Sequence, residues 1–296
     1  MRLVASQSCK DNHHIEMKQG YLLFVPAGGL ANRMRAIASA YHLSSQTQTK
    51  VQVVWFQDWG MNAAFHDLFR PIETKYFKIK EGSWTDLITI DRPRKRNFFV
   101  PKIFQFIRFN QRIDEQYVAD LKSKAFDFER WAKNKNSYMS CYDEFGTFND
   151  SLYVDIFKPL KEISNRVEGY KKRFSPHTIG MHIRRTDNLE SIEKSPLNLF
   201  VDTIKQEIKT HADTKIFLAT DDQQTKSTLM LQFGERILTS REEATRGNLV
   251  GITDGLADML TLASTQMIYG SAGSSFSEMA SKIGNTPLYI LSVSQQ

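Results

Sequence analysis

The chain has 296 residues, a formal net charge of +6, 41% hydrophobic and 24% charged residues. That balance is of an ordinary globular protein with room for one large or two smaller domains, and it excludes disordered and fibrous classes. No run approaches the ~20 consecutive apolar residues of a transmembrane helix, and two cysteines, Cys9 and Cys141, exclude a disulfide framework and point to a reducing, cytoplasmic setting.

Residues 1–19 hold Lys10, Asp11, His13, His14 and Glu16 without an apolar centre. They read as a tail or lead-in rather than a signal peptide, and the adjacent histidines as a solvated pair rather than a metal site. Tyr21-Leu-Leu-Phe-Val25 is a short apolar run ended by Pro26-Ala-Gly-Gly29, the pattern of a buried strand entering a tight turn. Helical spacing then runs from about Asn32 to Leu43, followed by a second strand over Val51–Phe56. Strand, glycine turn, helix and strand in that order make the βαβ unit of an open parallel sheet. A glycine turn opening a helix is also an anion site, because unpaired backbone N–H groups and the helix dipole point into it.

Residues 60–165 are aromatic-rich and irregular, with weak strand signals and helical stretches at Glu115–Lys133 and Leu152–Tyr170. Within them, Arg92, Arg94, Lys95, Arg96, Lys102, Arg108 and Arg112 occur without an acidic residue and alternate with Phe98, Phe99, Phe104, Phe106 and Phe109. The segment reads equally as a solvated basic face or as a patch for an anionic partner such as lipid headgroups. Nucleic acid is the weakest version, because no known binding motif accompanies the charge.

The α/β rhythm returns at Thr178–Ile183, a strand. Ser195-Pro196 opens a helix to about Lys209, and Lys215–Ala219 is a strand followed by a helix that Asp222 caps. Arg236–Leu238, Met267–Tyr269 and Pro287–Leu291 read as further strands, with helices at Asp254–Ala263 and Ser274–Ile283. A second doubly wound sheet follows, with its ligand expected at the carboxyl ends of the strands. The predicted division is a lead-in over 1–19, an N-terminal domain over 20–170 and a C-terminal domain over 171–296.

Four polar groups fall at such strand ends: Gly28-Gly29-Leu30-Ala31-Asn32-Arg33; His182, Arg184, Arg185 and Asp187; Thr220-Asp221-Asp222; and Gly270-Ser271-Ala272-Gly273-Ser274-Ser275. Each alone has a structural explanation: a turn, an ion-pair hub, a helix cap, a loop. One shared site accounts for all four together. The Arg-Arg pair is the most specific, since a guanidinium fork fits phosphate oxygens two at a time.

His182-Ile-Arg-Arg-Thr-Asp187 resembles the first motif of the fucosyltransferase superfamily that includes α1,2-, α1,6-, protein O- and nodulation fucosyltransferases. The turn at Gly28–Arg33 is similar to the glycine turn near the start of these enzymes, with Ala31 where glycine is usual. Asp221-Asp222, and Asp258 through Ser274-Ser275, resemble the second and third motifs. The resemblance covers roughly residues 20–50 and 176–290. It implies a GT-B-like α/β architecture, two Rossmann-type domains with parallel sheets facing across a cleft, and GDP-fucose held by the C-terminal one. Carried over by position, Arg184 would bind the β-phosphate and stabilise the leaving diphosphate. Arg185 would hold the pyrophosphate or support its loop. His182 and Asp258 would contact guanine, Ser274 and Ser275 the phosphates or fucose. Asn32, with Gly28, Gly29 and Arg33 around it, would close over the sugar-phosphate.

Glycosyl transfer develops negative charge on the leaving diphosphate, which fixed cations or a divalent metal must stabilise. Asp221 and Asp222 are adjacent rather than an Asp-x-Asp pair, so Arg184 is expected to act without a metal or other cofactor. The acceptor hydroxyl needs a carboxylate base, for which Glu190 and Glu193 are the candidates, with Asp187 beside the arginines. The leading expectation is an inverting, metal-independent fucosyltransferase acting on a polysaccharide or lipid-linked oligosaccharide, cytoplasmic and peripheral to a bacterial inner membrane through 92–112. The rivals are a transferase using another nucleotide sugar and a catalytically silent nucleotide-binding or lectin-like module.

Overall fold

A computed structural model describes residues 19–58, 60–90, 99–186, 189–240 and 247–293. Cys9, Arg92, Arg94, Lys95, Arg96, Asp187 and Asn188 therefore lie outside the described residues.

The strands form two five-stranded sheets whose paired strands are all parallel. The first contains β1 (Tyr21–Pro26), β2 (Lys50–Trp55), β3 (Phe77–Glu81), β4 (Gln111–Ile113) and β5 (Asn136–Cys141), in the order β3-β2-β1-β5-β4. The second contains β6 (Thr178–Ile183), β7 (Lys215–Thr220), β8 (Ile237–Thr239), β9 (Ile268–Ser271) and β10 (Leu288–Leu291), in the order β10-β9-β6-β7-β8. The connecting helices are α1 (Leu30–Thr47), α2 (Trp84–Thr89), α3 (Phe99–Arg108), α4 (Glu115–Ser123), α5 (Phe128–Ala132), α6 (Ser151–Ile156) and α7 (Lys161–Lys171) in the first half. In the second half they are α8 (Leu189–Lys194), α9 (Leu197–Thr210), α10 (Gln223–Phe233), α11 (Leu249–Leu262) and α12 (Ser275–Gly284). This is the two-sheet α/β architecture expected from the alternation of strand and helix signals.

Central parallel strands are covered on both faces and so read as continuous apolar runs. In β1, Leu22 and Phe24 enter the core under α1, while Leu23 and Val25 enter a separate cluster on the other face with Val54, Phe56, Ile90, Phe109 and Tyr138. β5 escaped the sequence reading because it is buried yet half polar. Its serines are satisfied locally: Ser137 Oγ accepts from Gln111 Nε2 at 2.8 Å and Ser140 Oγ from the Glu115 N–H at 3.0 Å. β3, Phe-Lys-Ile-Lys-Glu, is an edge strand with charged alternate positions, and β4 has only three residues.

Two predicted helices are each broken in two. Ala125 takes a left-handed φ of 51° between α4 and α5, and Pro159, which cannot donate in a helix interior, lies between α6 and α7. Ser195 does not cap α9: Pro196 occupies the cap position, and Ser195 Oγ instead accepts from the Ala272 N–H at 2.9 Å. α11 starts earlier than expected, where Asn248 accepts from the Gly251 N–H at 2.8 Å.

The halves share one hydrophobic core. α7 belongs almost wholly to the predicted first domain yet packs on α11, with Tyr170 edge-on to Phe217 at 5.2 Å and Arg166 paired with Asp254. At the other end α12 packs on α1 and α6, where Arg35 meets Glu278 at 3.3 Å and Lys282 meets Asp150 at 3.5 Å.

Candidate active site

In the second sheet, chain order reverses between β6 and β9, the position where open α/β sheets bind ligands beyond the strand ends. The loops after these two strands are joined there. The Arg184 N–H donates to Ser271 Oγ at 3.1 Å, and Ser271 Oγ donates to the His182 carbonyl at 3.4 Å. The loop after β9 is held from behind by Ser191, whose hydroxyl donates to the Ala272 carbonyl at 2.6 Å, and by Ser195. α12 then starts with Ser274 and Ser275, so its first-turn N–H groups open toward the end of β6.

Arg184 and Arg185 have different surroundings. The Arg185 guanidinium donates to the carbonyls of Ile192 (3.3 Å) and Ser195 (2.7 Å), so it clamps the carboxyl end of α8. Its own N–H is held by Asp221 Oδ1 at 2.8 Å. Of the two expected roles for Arg185, this geometry corresponds to supporting the loop. Arg184 is half-buried at the end of β6, and its charge, after burial, is the second cause holding His182 unprotonated, with a pKa lowered to about 3. His182 stacks on Phe276 at 4.7 Å between ring centres, with Nδ1 3.4 Å from Ser274 Oγ. A neutral imidazole with one donor and one acceptor nitrogen results.

Asp221 and Asp222 are occupied by the protein itself. Asp221 Oδ2 accepts from Thr186 Oγ1 at 2.7 Å, and Asp222 Oδ2 caps α10 through the Thr225 N–H (2.8 Å) and Oγ1 (2.6 Å). Asp258 lies deeper, on α11 behind the end of β8. Its Oδ2 accepts from Ser240 Oγ at 3.1 Å, and its Oδ1, buried, has no hydrogen-bond partner among the described residues. Burial pushes this carboxyl well above the ordinary range, to about 7, against the opposing pull of Ser240. Lys226, also buried, donates to the Ser240 carbonyl at 3.0 Å. Lys226 and Ser240 carried no motif and were not anticipated.

In the first sheet the glycine turn is built as predicted. Gly28 has φ +81°, and a Cβ there would lie 2.8 Å from Asn32 Nδ2. Gly29 occupies the cap position of α1. Asn32 Oδ1 accepts from Arg35 at 2.8 Å, and the same guanidinium meets Glu278 on α12. The turn after β1 and the first turn of α12 are thus tied together across the two halves. Arg33 differs from its sequence-based role: it is fully buried beneath the turn and has no surface to offer a ligand. Its guanidinium donates to the carbonyls of Gly28 (2.8 Å) and Phe56 and to Asp58 (2.9 Å), and it lies 4.7 Å over the Trp55 ring.

Of the candidate bases, Glu190 is exposed and paired with Lys194 at 2.8 Å on α8, and Glu193 is exposed on the same helix. Asp187 lies outside the described residues. Among the described residues, one group with metal-ligand chemistry, His177, Glu207 and His211, has its ligand atoms within 4.8 Å of one another. It sits at the amino end of β6, the opposite end from Arg184.

No protein-family model and no curated protein matches the sequence. Solved structures do. The NodZ α-1,6-fucosyltransferase soaked with GDP-fucose aligns over 90% of this chain and 93% of its own, at 18% identity and a TM-score of 0.61. The fucosyltransferase NodZ from Bradyrhizobium gives the same identity and TM-score over 89% and 92%. POFUT1 in complex with GDP-fucose aligns over 92% and 98%, at 10% identity and a TM-score of 0.53. The chain has the fold of these fucosyltransferases. That fold is the GT-B-like arrangement of two parallel sheets implied by the strand-end motifs.

Proposed function

We propose that the chain is an inverting, metal-independent glycosyltransferase that transfers fucose from GDP-fucose to a glycan, polysaccharide or lipid-linked oligosaccharide. The observation that carries this reading is the junction of Arg184, Ser271 and the start of α12 at the switch point of the second sheet. The fold, shared with proteins solved with GDP-fucose, supports the donor. On this reading residues 171–296 hold the nucleotide and 20–170 face the acceptor, in a cytoplasmic protein. Arg184 and the N–H groups before α12 receive the charge of the departing GDP, Ser274 and Ser275 line its phosphates, and Asn32 approaches from the other sheet. Glu190 or Glu193 takes the acceptor proton, an assignment that requires α8 to turn one carboxylate toward the sugar.

The employment of Asp221 and Asp222 in loop and helix supports charge stabilisation by arginine rather than by a carboxylate-held metal. Fucosyl transfer, read as GDP release, is therefore expected to continue undiminished in EDTA; loss in EDTA with rescue by Mn²⁺ would sink metal independence. The donor itself is tested by thermal shift with GDP-fucose, GDP-mannose, UDP- and dTDP-sugars. A ligand at 100 times its Kd stabilises by about 2.7 kcal/mol, and a preference for a UDP- or dTDP-sugar would point to the rival transferase. GDP binding without GDP release in any acceptor mixture would point to a silent module.

Asp258 gives the guanine reading a pH signature. Guanine offers an N1–H and an N2 amine to a carboxylate, and Asp258 Oδ1 needs a donor. In the empty protein this carboxyl keeps its proton up to about pH 7, whereas in the unfolded chain it ionises near 4. Its contribution to stability is therefore full at low pH and is lost as pH rises through 7. Guanine binding to the carboxylate has the opposite dependence. Guanosine affinity should be constant above about pH 7.5 and fall toward tenfold per pH unit below 7, and Asp258→Asn should remove both affinity and slope. Calorimetric titration of guanosine, which has no phosphate to titrate, makes the measurement; a flat profile from pH 6 to 8 contradicts the assignment.

A further inference from the structure

Two consecutive helices of the first half are built inside out. In α2 the residue turned into the protein is Asp86, held by Lys80 Nζ at 2.7 Å and by the Ser83 N–H at 2.9 Å, while Trp84, Leu87 and Ile88 face solvent. In α3 the inward residue is Gln105, fully buried with its amide donating to the Ile90 carbonyl, while Ile103, Phe104, Phe106 and Ile107 face outward. Trp84 is 72% exposed, Phe106 72% and Ile107 77%. A surface helix normally turns its apolar stripe to the core. Here two helices in contact with each other turn theirs away from it.

The rest of the crossover explains how this is tolerated. α2 and α3 carry the chain from β3 at one edge of the sheet to β4 at the other. Ile90 and Phe109, the residues just after each helix, join the apolar cluster on that sheet face. The helices themselves are thereby left with their apolar sides outermost. This is the face opposite α1, whose buried side chains lie in the core shared with the second half.

The flanks are basic. Arg112 lies 5.2 Å over the Phe106 ring and Arg108 5.4 Å over Phe109. Neither has a carboxylate partner among the described residues. Lys102, on the other side of α3, pairs with Asp114 at 2.9 Å. Around the helix, the outward apolar stripe of α3 is bordered by Lys102 on one side and Arg108 on the other, with Gln105 opposite. Aromatic and aliphatic tips bordered by cations that bury their stems are the features of a helix lying in a membrane interface. Since no helix among the described residues is long and apolar enough to cross a membrane, attachment through this face is peripheral.

We propose that α2 and α3 form a docking surface for an anionic lipid bilayer, with Trp84, Phe106 and Ile107 entering the acyl boundary and Arg108 and Arg112 meeting the headgroups. The assignment stands apart from the donor specificity proposed above, because it uses none of those residues.

The test is sedimentation of the full chain with vesicles of phosphatidylcholine alone and of phosphatidylcholine containing one third phosphatidylglycerol. The chain should bind the anionic vesicles and lose most of that binding in high salt. Phe106→Glu with Ile107→Glu should weaken binding at least about tenfold, and Arg108→Glu with Arg112→Glu should lower it and flatten the salt dependence. Both variants should keep the thermal midpoint of the unmodified chain, since the changed side chains are exposed. A measurement without these variants uses vesicles of brominated lipid, which should quench tryptophan emission of the unmodified chain but much less that of Trp84→Tyr. Failure to bind anionic vesicles, or equal binding by the Phe106/Ile107 variant, overturns the proposal. So does a dimer that this variant converts to monomer without any vesicle binding, which would make the face a contact between copies. GDP release in solution is read in parallel: a chain active on GDP-fucose that ignores vesicles removes only the docking surface, and one that docks without turning over removes only the reaction.

Discussion

Arg184→Ala is expected to lower the rate of GDP release from GDP-fucose by about 10²- to 10³-fold, the usual cost of removing one charge-stabilising donor from a developing anion. The side chain leaves β6 where the loop after β9 meets it, and that junction is made by the Arg184 backbone N–H and Ser271. Alanine retains this N–H, so the loop and the thermal midpoint should be preserved while the reaction is lost. Arg184→Lys keeps the charge but not the planar fork that grips two oxygens, and should recover only part of the rate. Steady-state kinetics separate these effects: a loss in kcat reports the leaving group, whereas a rise in KM alone would mean that Arg184 holds donor and transition state equally. An alanine variant within threefold of the unmodified chain would remove Arg184 from the chemistry. Arg185→Ala should behave differently. It frees the Ile192 and Ser195 carbonyls, so loosening of α8 and lowered stability should accompany any loss of rate.

Arg33→Met should lower folding stability by about 3–5 kcal/mol, the range for removing one partner of a buried ion pair. The side chain is fully buried, and its guanidinium joins the Gly28 and Phe56 carbonyls to Asp58. Burial lowers its pKa to about 10, with Asp58 opposing the shift, so it is still charged near neutrality. Methionine can fill the volume against Trp55 but leaves Asp58 Oδ2 and the Gly28 and Phe56 carbonyls without the donor Arg33 supplies, while Asp58 Oδ1 keeps the Gly60 N–H. Against a total stability of 5–15 kcal/mol for typical domains, this is a large share, and urea unfolding would show it as a lower midpoint at unchanged slope. Arg33→Met with Asp58→Asn should recover part of the loss, because the uncompensated charge is then gone. If the single variant cost less than about 1 kcal/mol, the turn would not depend on this arginine.

The motifs at strand ends were legible because they combine a local apolar run with a turn that glycine alone accommodates well. Gly28, with φ +81°, is such a position, and the cap made by Asp222 is another local signal, contained within four residues. The roles of the two neighbouring arginines and of Arg33 were less legible. Arg33, in the first turn of α1, and Arg184 and Arg185, at the end of β6, are the same residue type, yet Arg33 points beneath its turn, Arg185 into the end of α8, and Arg184 stands beside His182. Which carbonyls lie within reach of each is decided by segments far away in the chain. The same applies to β5, whose buried serines are satisfied by Gln111 and Glu115, and which therefore lacked the apolar composition that marks β1 and β6.

By itself the sequence determined the alternation of strands and helices over β1–β2 and from β6 onward, the turns there and the residues gathered at the carboxyl ends of those strands. These follow from side-chain periodicity and backbone preference, which act over a few residues. Only the tertiary structure decided which polar groups turn inward and which apolar ones stay outside. Asp86 is buried where Lys80 and Ser83 bind its carboxylate, and Gln105 where its amide N–H reaches the Ile90 carbonyl, and their burial leaves Trp84, Phe106 and Ile107 in solvent. A hydrogen-bond partner offsets much of the cost of burying a polar group; Asp86 finds its partners within six residues, whereas Gln105 reaches the Ile90 carbonyl only because the chain folds α3 back against the end of α2.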